Sequence, residues 1–555
     1  MAPFPVTANP LEDPFYYLNN FMQVLDWLEH RYADVLSVEE QRFIGDFYQL
    51  SRPSQALLVR MVMRRGIHFR ASKLQYAEIG DTARAAGPLL ALGWIDAQAP
   101  LSIEELFEVL LKAEILQCLG TAIDQPKGKK ADWLPALSEQ FPESRCFSQW
   151  CVPLDDRLFS LTIMGLCDRL RLMFFGNLYQ DWSEFVLADL GIFTYEKVEF
   201  CADSRGLRSR EDVDACVFLH DCQQRFEAGE ALAGIVEQIN RLALGNPWLQ
   251  RRRDKLLFQM GQYCERTADF ATALSIYRDC AWPGARLRLI RVLERCGEYQ
   301  LALELASQAG QSTQSAAEQQ HLLRVLPRLR RKLGGPPIKR ASRRDMLRLD
   351  LQLPRTDPAL SVEYHVQAHL AQASAPVHYV ENSLINSLFG LLCWPAIFAP
   401  LPGAFFHPFQ RGPVDLLNED FHLRRADLFQ ACLAELEDGR YRQTIRDRYA
   451  AKRGVQSPFV FWGVLSEELL DQALDCLPAD HLKHWFQRLL LDIKANRAGM
   501  PDLIQFWPQD KTYRMIEVKG PGDRLQDNQL RWLEFCHEHQ MPIAVCYVQW
   551  AEQSA

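Results

Sequence analysis

The sequence predicts a multidomain, mainly α chain that ends in an α/β domain. Three observations carry this. At 555 residues the chain holds roughly three to four domains at about 150 residues each. Apolar residues recur with helical spacing through most of the first 330 positions. The last fifty or so residues instead alternate short β-type runs with turns and one helical stretch. Composition is ordinary for a globular protein, with 48% hydrophobic and 24% charged residues, and the formal net charge is −8. That excludes a globally basic nucleic-acid binder but leaves room for a local basic face.

The N-terminal part, placed at 1–80, opens on FYYLNNFMQVLDWLEHRY and VEEQRFIGDFYQL, both helical by periodicity. The following LVRMVMRRGIHFRASKLQYAEI reads as a helix with a basic face, in which Arg64, Arg65, Arg70 and Lys73 are candidate phosphate contacts. A second part, 81–200, contains a short amphipathic helix pair in LSIEELFEVLLKAEILQCLG, opened by a Ser102/Glu105 capping box. In 201–335, RTADFATALSIY (266–277) aligns with RCGEYQLALELA (295–306) at an offset of 29 residues. This is a helical repeat similar to the tetratricopeptide type, though shorter than its usual period of about 34.

A linker follows at 336–374. The run 324–348 carries ten Lys or Arg against Asp345 alone, broken by Gly334-Gly335-Pro336-Pro337. Arg340, Arg343 and Arg344 within it are candidate DNA contacts. A second cluster, RYRQTIRDRYAAKRG, interleaves Tyr441 and Tyr449 with Arg446, Lys452 and Arg453, a mix that suits phosphate contact with base stacking. From Asn382 to Gln410 there is no charged residue, but prolines at 395, 400 and 402 break the run, so it reads as a buried helix and a Pro-rich loop rather than a membrane span. The fifteen cysteines are scattered singly with no CxxC pair, as expected of reduced thiols and not of a zinc site.

The chemistry is concentrated in GMPDLIQFWPQDKTYRMIEVKGPGDRLQDNQLRWLEFCHEHQMPIAVCYVQW, placed in a final domain at 375–555. Its reading is strand, turn, strand, loop, helix, strand, with Asp523 as the expected helix N-cap. Asp502 opens the first strand. Glu517 and Lys519 lie two apart in the second and so point to one face. An antiparallel hairpin brings Asp502 beside Glu517, and two partly buried carboxylates repel unless a cation joins them. A hard divalent ion, Mg²⁺ or Mn²⁺, with oxygen ligands fits, and the backbone carbonyl of Val518 is a further possible ligand. Lys519 beside it would orient an attacking water or stabilise transition-state charge.

This is the PD-x(n)-(D/E)-x-K pattern of restriction-endonuclease-like nucleases. The run Glu517, Val518, Lys519, Gly520, Pro521, Asp523, Leu525, Gln529, Trp532 and Leu533 further resembles the virus-type replication–repair nuclease domain of the Fanconi-anaemia-associated nuclease family. The resemblance implies N-terminal helical, SAP-like and tetratricopeptide-like parts before the nuclease domain. It implies metal ligands at Glu381, Asp502, Glu517 and the carbonyl of Val518, a catalytic Lys519 and a supporting Gln529. Glu381, in VHYVENSLINSLFGLLCW, is expected to be a buried carboxylate at the head of the uncharged helix. The implied activity is divalent-metal-dependent 5′-flap endonuclease and 5′→3′ exonuclease action on branched DNA, in repair of interstrand cross-links. Nothing here has the Cys/His spacing of the ubiquitin-binding zinc finger of eukaryotic members, so the likeness is to the shorter bacterial-type form, cytoplasmic and nucleoid-associated, without ubiquitin recruitment. The alternatives are a Holliday-junction resolvase or restriction-type enzyme of the same superfamily, or an inactive repeat scaffold that binds branched DNA.

Overall fold

The computed structural model describes residues 13–180, 182, 193–313, 315–336, 346–355, 357 and 359–551, which fall into two units. The first comprises 1–193 with 200–217, the second 194–199 with 218–555.

The first unit opens with helices Tyr16–Tyr32, Val38–Gln49 and Arg52–Val62. Ser37 starts the second of these. Its hydroxyl accepts the Glu40 amide and the Glu40 carboxylate accepts the Ser37 amide, which satisfies two otherwise orphan donors. The expected continuation of helix through 61–79 is not found. Gly66, at φ 86°, turns the chain into strand β1 (His68–Arg70), which pairs antiparallel with β5 (Leu158–Leu161), and β2 (Ile95–Asp96) adds to the other edge of β5. The reason is local: glycine adopts left-handed backbone without cost, and a three-residue strand is too short to show a period of two. Helices Ile103–Val109 and Lys112–Leu119 then form the expected pair, opened by the Ser102/Glu105 box. They share a core of Leu106, Ile115, Trp133 and Trp150, and the segment that holds them is closed by antiparallel pairing of β3 (Pro100–Leu101) with β4 (Arg145–Cys146).

In the second unit, helices Pro247–Arg266, Phe270–Asp279, Ala285–Arg295, Tyr299–Gln311 and Ala316–Lys332 each pack on the next. The two aligned repeat segments occupy equivalent places, on the second and fourth of these. Their alanines explain the closeness: Ala273, Ala302 and Ala306 are fully buried. Gly261 goes further, since a Cβ there would sit 2.6 Å from the Tyr277 ring.

The unit ends in a five-stranded sheet ordered β6-β10-β9-β8-β7, from β6 (Leu347–Leu353), β7 (Val377–Tyr379), β8 (Leu503–Trp507), β9 (Thr512–Lys519) and β10 (Ile543–Trp550). β8 is antiparallel to β7 and β9, whereas β10 is parallel to β9 and β6. A parallel neighbour requires a crossover, which helix Asp527–Glu538 supplies between β9 and β10. β6 and helix Val362–Leu370 come from the stretch expected to be a linker. The expected uncharged helix is Leu384–Leu392, every residue of it buried. No helix among the described residues is long and apolar enough to cross a membrane.

Candidate active site

The site lies where β8 and β9 meet at the end of their hairpin. Register fixes it: Leu503 faces Ile516, so Asp502 falls opposite Glu517. Asp502 is held there by the amide of Val518, which donates to its Oδ2 at 2.8 Å. Glu517 and Lys519 share one face of β9, and Lys519 Nζ lies 2.6 Å from Glu517 Oε1. Val518 turns the other way into the core of Leu353, Val366, Leu503 and Ile516. One pleat thus separates packing from chemistry.

All three functional side chains are buried: Glu517 is 0% exposed, Asp502 6% and Lys519 7%. Burial raises the pKa of both acids. It pushes Asp502 up to about 6, against the pull of the Val518 amide and Lys519. It pushes Glu517 up to about 7, with the Asp502 charge adding to the rise and Lys519 opposing it. Lys519 engages only one oxygen of Glu517. The other, Oε2, is buried with no hydrogen-bond partner among the described residues. An ionised carboxylate oxygen left so is costly, and a cation is what it lacks.

Glu381 reaches the same place from β7. The amide of Val380 donates to the Asp502 carbonyl at 2.8 Å, which extends the β7–β8 ladder and sets Glu381 close enough for its charge to act on both Asp502 and Glu517. Two expectations about it are corrected. Glu381 is exposed, not buried, and it sits in a turn before the helix, which starts at Leu384. Its carboxylate accepts from the Tyr379 hydroxyl and, at 3.1 Å, from Asn382 Nδ2. The donors are therefore splayed, and among the described residues no three acidic, His or Cys side chains stand as a ready-made cage. Carboxylate oxygens beside an orphaned, buried carboxylate oxygen nevertheless fit a hard divalent ion.

Three residues went unnoticed in the sequence. Tyr379 and Asn382 hold Glu381, and Asn382 Oδ1 also accepts the Met500 amide at 3.0 Å. Glu363, in the first turn of helix Val362–Leu370, is a fourth acid at the site, and its charge, like that of Glu381, raises the pKa of Asp502. Only the last had a signal, an acidic residue two places after Ser361, and it reads as capping. Gln529, expected to support the site, caps the crossover helix: its Oε1 accepts the Gln526 amide at 2.8 Å. Asp523 is not the N-cap. It closes the preceding turn by accepting the Gly520 amide at 3.0 Å, because the helix starts later, at Asp527.

Of the expected DNA contacts, Arg64, Arg65, Lys73 and Arg453 are exposed. Arg70 is not available. It is buried and paired with Glu114 at 2.6 Å and Asp156 at 2.7 Å. Lys452 pairs with both oxygens of Glu196 at 2.8 Å, and Arg446 pairs with Asp471 at 2.9 Å. Tyr441 and Tyr449 are core residues, so base stacking by them is ruled out. In each case the sequence showed the cation or ring but not its distant partner. Arg340, Arg343 and Arg344 lie outside the described residues.

Family models agree with the architecture: the VRR-NUC domain matches residues 436–550, the FAN1 HTH domain 15–96 and the Fanconi anemia-associated nuclease SAP domain 100–150. The Fanconi-associated nuclease 1 homolog of Pseudomonas aeruginosa is 57% identical over 549 residues, covering 99% of this chain and 98% of that one. The homolog of Arabidopsis thaliana is 24% identical and covers 96% of this chain but 67% of its own length. Crystal structures of paFAN1 bound to 5′-flap DNA with a gap superpose with TM-scores of 0.91 for a 2-nucleotide flap and 0.89 for a 1-nucleotide flap, at 56% and 57% identity. They cover 99% and 97% of this chain and 100% of each of those chains. With three matched domains in order and an end-to-end relative at that identity, the chain belongs to the Fanconi-associated nuclease 1 family.

Proposed function

We propose that Glu381, Asp502, Glu517 and the carbonyl of Val518 hold a Mg²⁺ or Mn²⁺ ion, and that Lys519 is the catalytic base-side residue of a phosphodiester hydrolase acting on 5′-flapped DNA. The observation that carries this reading is the buried, unpartnered Oε2 of Glu517, on a carboxylate whose other oxygen is held by Lys519 and which lies opposite Asp502. When bound, such an ion polarises a phosphoryl oxygen and lowers the pKa of an attacking water. The protein does the rest. Asp502, fixed by the Val518 amide, and Glu517, fixed by Lys519, present oxygens from rigid strands, which keeps reorganisation small. In this reading Lys519 Nζ, beside Glu517, holds the water and offsets negative charge as the phosphorus–oxygen bond breaks.

The flap substrate is supported by the relatives crystallised on 5′-flap DNA. From the same kinship we infer 5′→3′ trimming and a role in interstrand cross-link repair. All fifteen cysteines are free thiols, which suits a reducing compartment. The test is cleavage of a 5′-flapped duplex with Mn²⁺ by Asp502→Ala and Lys519→Ala. Both should lose at least about 10²-fold in rate while still binding the flap. Activity near wild type in either rejects the site, and faster cleavage of four-way junctions than of flaps rejects the substrate.

A further inference from the structure

The first unit contains a cavity of about 470 Å³ that the nuclease site does not use. Its walls combine rings and cations. Of the lining rings, Tyr17 and Trp182 are buried, and Tyr16 and Tyr76 are half-exposed. Arg60 lies over Tyr17 at 3.8 Å and over Tyr76 at 4.9 Å, and Glu78 neutralises it through contacts at 2.6 and 3.1 Å. Arg60 therefore serves to build the wall. Arg64 and Lys73 differ. Both line the cavity, both are exposed, and neither has a carboxylate within ion-pair distance among the described residues. Arg64 is steered to the mouth by the Lys73 carbonyl at 3.4 Å and the Tyr76 hydroxyl at 3.2 Å.

Two exposed cations with no ion pair among the described residues, beside the half-exposed rings of Tyr16 and Tyr76, suit a ligand that is flat at one end and anionic at the other. The volume falls in the range that takes one small ligand, about 300–1,000 Å³, and excludes a duplex. A surface that only grips duplex phosphates has no use for recessed rings, whereas aromatic platforms with flanking Arg and Lys are how single strands are held. We propose that this cleft takes one unpaired nucleotide of the DNA substrate, with its base against Tyr16 and Tyr76 and its phosphate on Arg64 and Lys73. This rests on the DNA-nuclease reading above but on none of its catalytic residues.

The experiment is binding of the full-length protein to three fluorescent probes: a short oligodeoxythymidylate, the same backbone made abasic, and a blunt duplex. Tyr16→Leu and Tyr76→Leu should weaken the thymidylate probe roughly 5- to 100-fold, the span expected of one lost base–ring stack, and leave the abasic and duplex probes within about twofold. Tyr76→Phe, which keeps the ring, should restore thymidylate binding. Arg64→Ala with Lys73→Ala should weaken thymidylate and abasic probes alike and flatten the salt dependence. Equal losses on duplex and thymidylate, or none on either, overturn the proposal. Because no cleavage is read, failure here is distinct from failure of the nuclease site, which Asp502→Ala tests.

Discussion

Asn382 bonds Glu381 with one end of its side-chain amide and, with the other, the backbone of Met500, two residues before Asp502. It does so from φ 50°, the left-handed region that asparagine tolerates better than most residues. Two proposed metal ligands far apart in sequence thus share one positioning residue. Asn382→Gly should suit this backbone at least as well and keep thermal stability near wild type, while the Mn²⁺ concentration for half-maximal cleavage rises about 10- to 100-fold, as for lost supports of metal ligands. An unshifted Mn²⁺ titration would show that Asn382 only shapes the turn.

Asp502 and Glu517 place two acidic groups in a buried site with a single lysine. Replacing one of them should trade function for stability. Asp502→Asn keeps an oxygen for the Val518 amide and leaves the Glu517–Lys519 pair intact. We expect its melting temperature in EDTA to exceed that of wild type while cleavage falls by at least about 10²-fold. A lower melting temperature in EDTA would count against charge repulsion as the dominant local effect.

The raised carboxyl pKa values set a direction with pH. Asp502 and Glu517 ionise near 6 and 7 when folded, against ordinary values of 3.8 and 4.5. The folded state holds these protons where the unfolded chain has lost them. The stability they contribute is therefore fully present below about pH 4 and is lost as pH rises through 6 and 7. A divalent ion competes with the same protons, so the melting-temperature gain from Mn²⁺ should grow across about pH 5–8, and cleavage should rise with it (about one pH unit either side of these pKa values). Thermal melts with EDTA and with Mn²⁺ across that range check this, and a pH-independent Mn²⁺ gain contradicts it.

Gly499 is pinned between its own φ of 91° and helix Asp527–Glu538: a Cβ there would sit 2.8 Å from the Asn528 backbone. Gly499→Ala should cost more than about 1 kcal/mol and, by displacing the 499–502 loop, reduce cleavage more than flap binding. Denaturant melts with a KM-against-kcat comparison would reveal it, and a silent substitution would mean the loop has slack.

The motif residues were legible because their chemistry and their spacing coincide. Asp502, Glu517 and Lys519 sit on a hairpin whose alternation can be read residue by residue. The supports were not legible. Tyr379 and Asn382 act through contacts with Glu381 and Met500 that no local pattern encodes, and the exposure of Glu381 depends on a turn, not on the apolar helix that follows. The same holds for the fold. Long amphipathic helices announced themselves, while β1, β2 and β6 did not, because short or edge strands owe their existence to partners such as β5 and β10. Basic residues were misjudged for one reason: Arg70, Arg446 and Lys452 are neutralised by Glu114, Asp471 and Glu196, acids 25 to 256 positions away.

The alternation along β9 also governs which changes of length the domain tolerates. Deleting or inserting a single residue between Glu517 and Lys519 would put one of them into the core now filled by Val518. The turn at 508–511 carries no such constraint, since Trp507 and Thr512 already close the ladder on either side of it. Insertions and deletions are thus expected to accumulate between the proline–aspartate pair and the Glu-x-Lys triplet, and almost never inside the triplet. A gap that tolerates changes of length beside a triplet that does not is the geometry of a pleat written as a sequence rule.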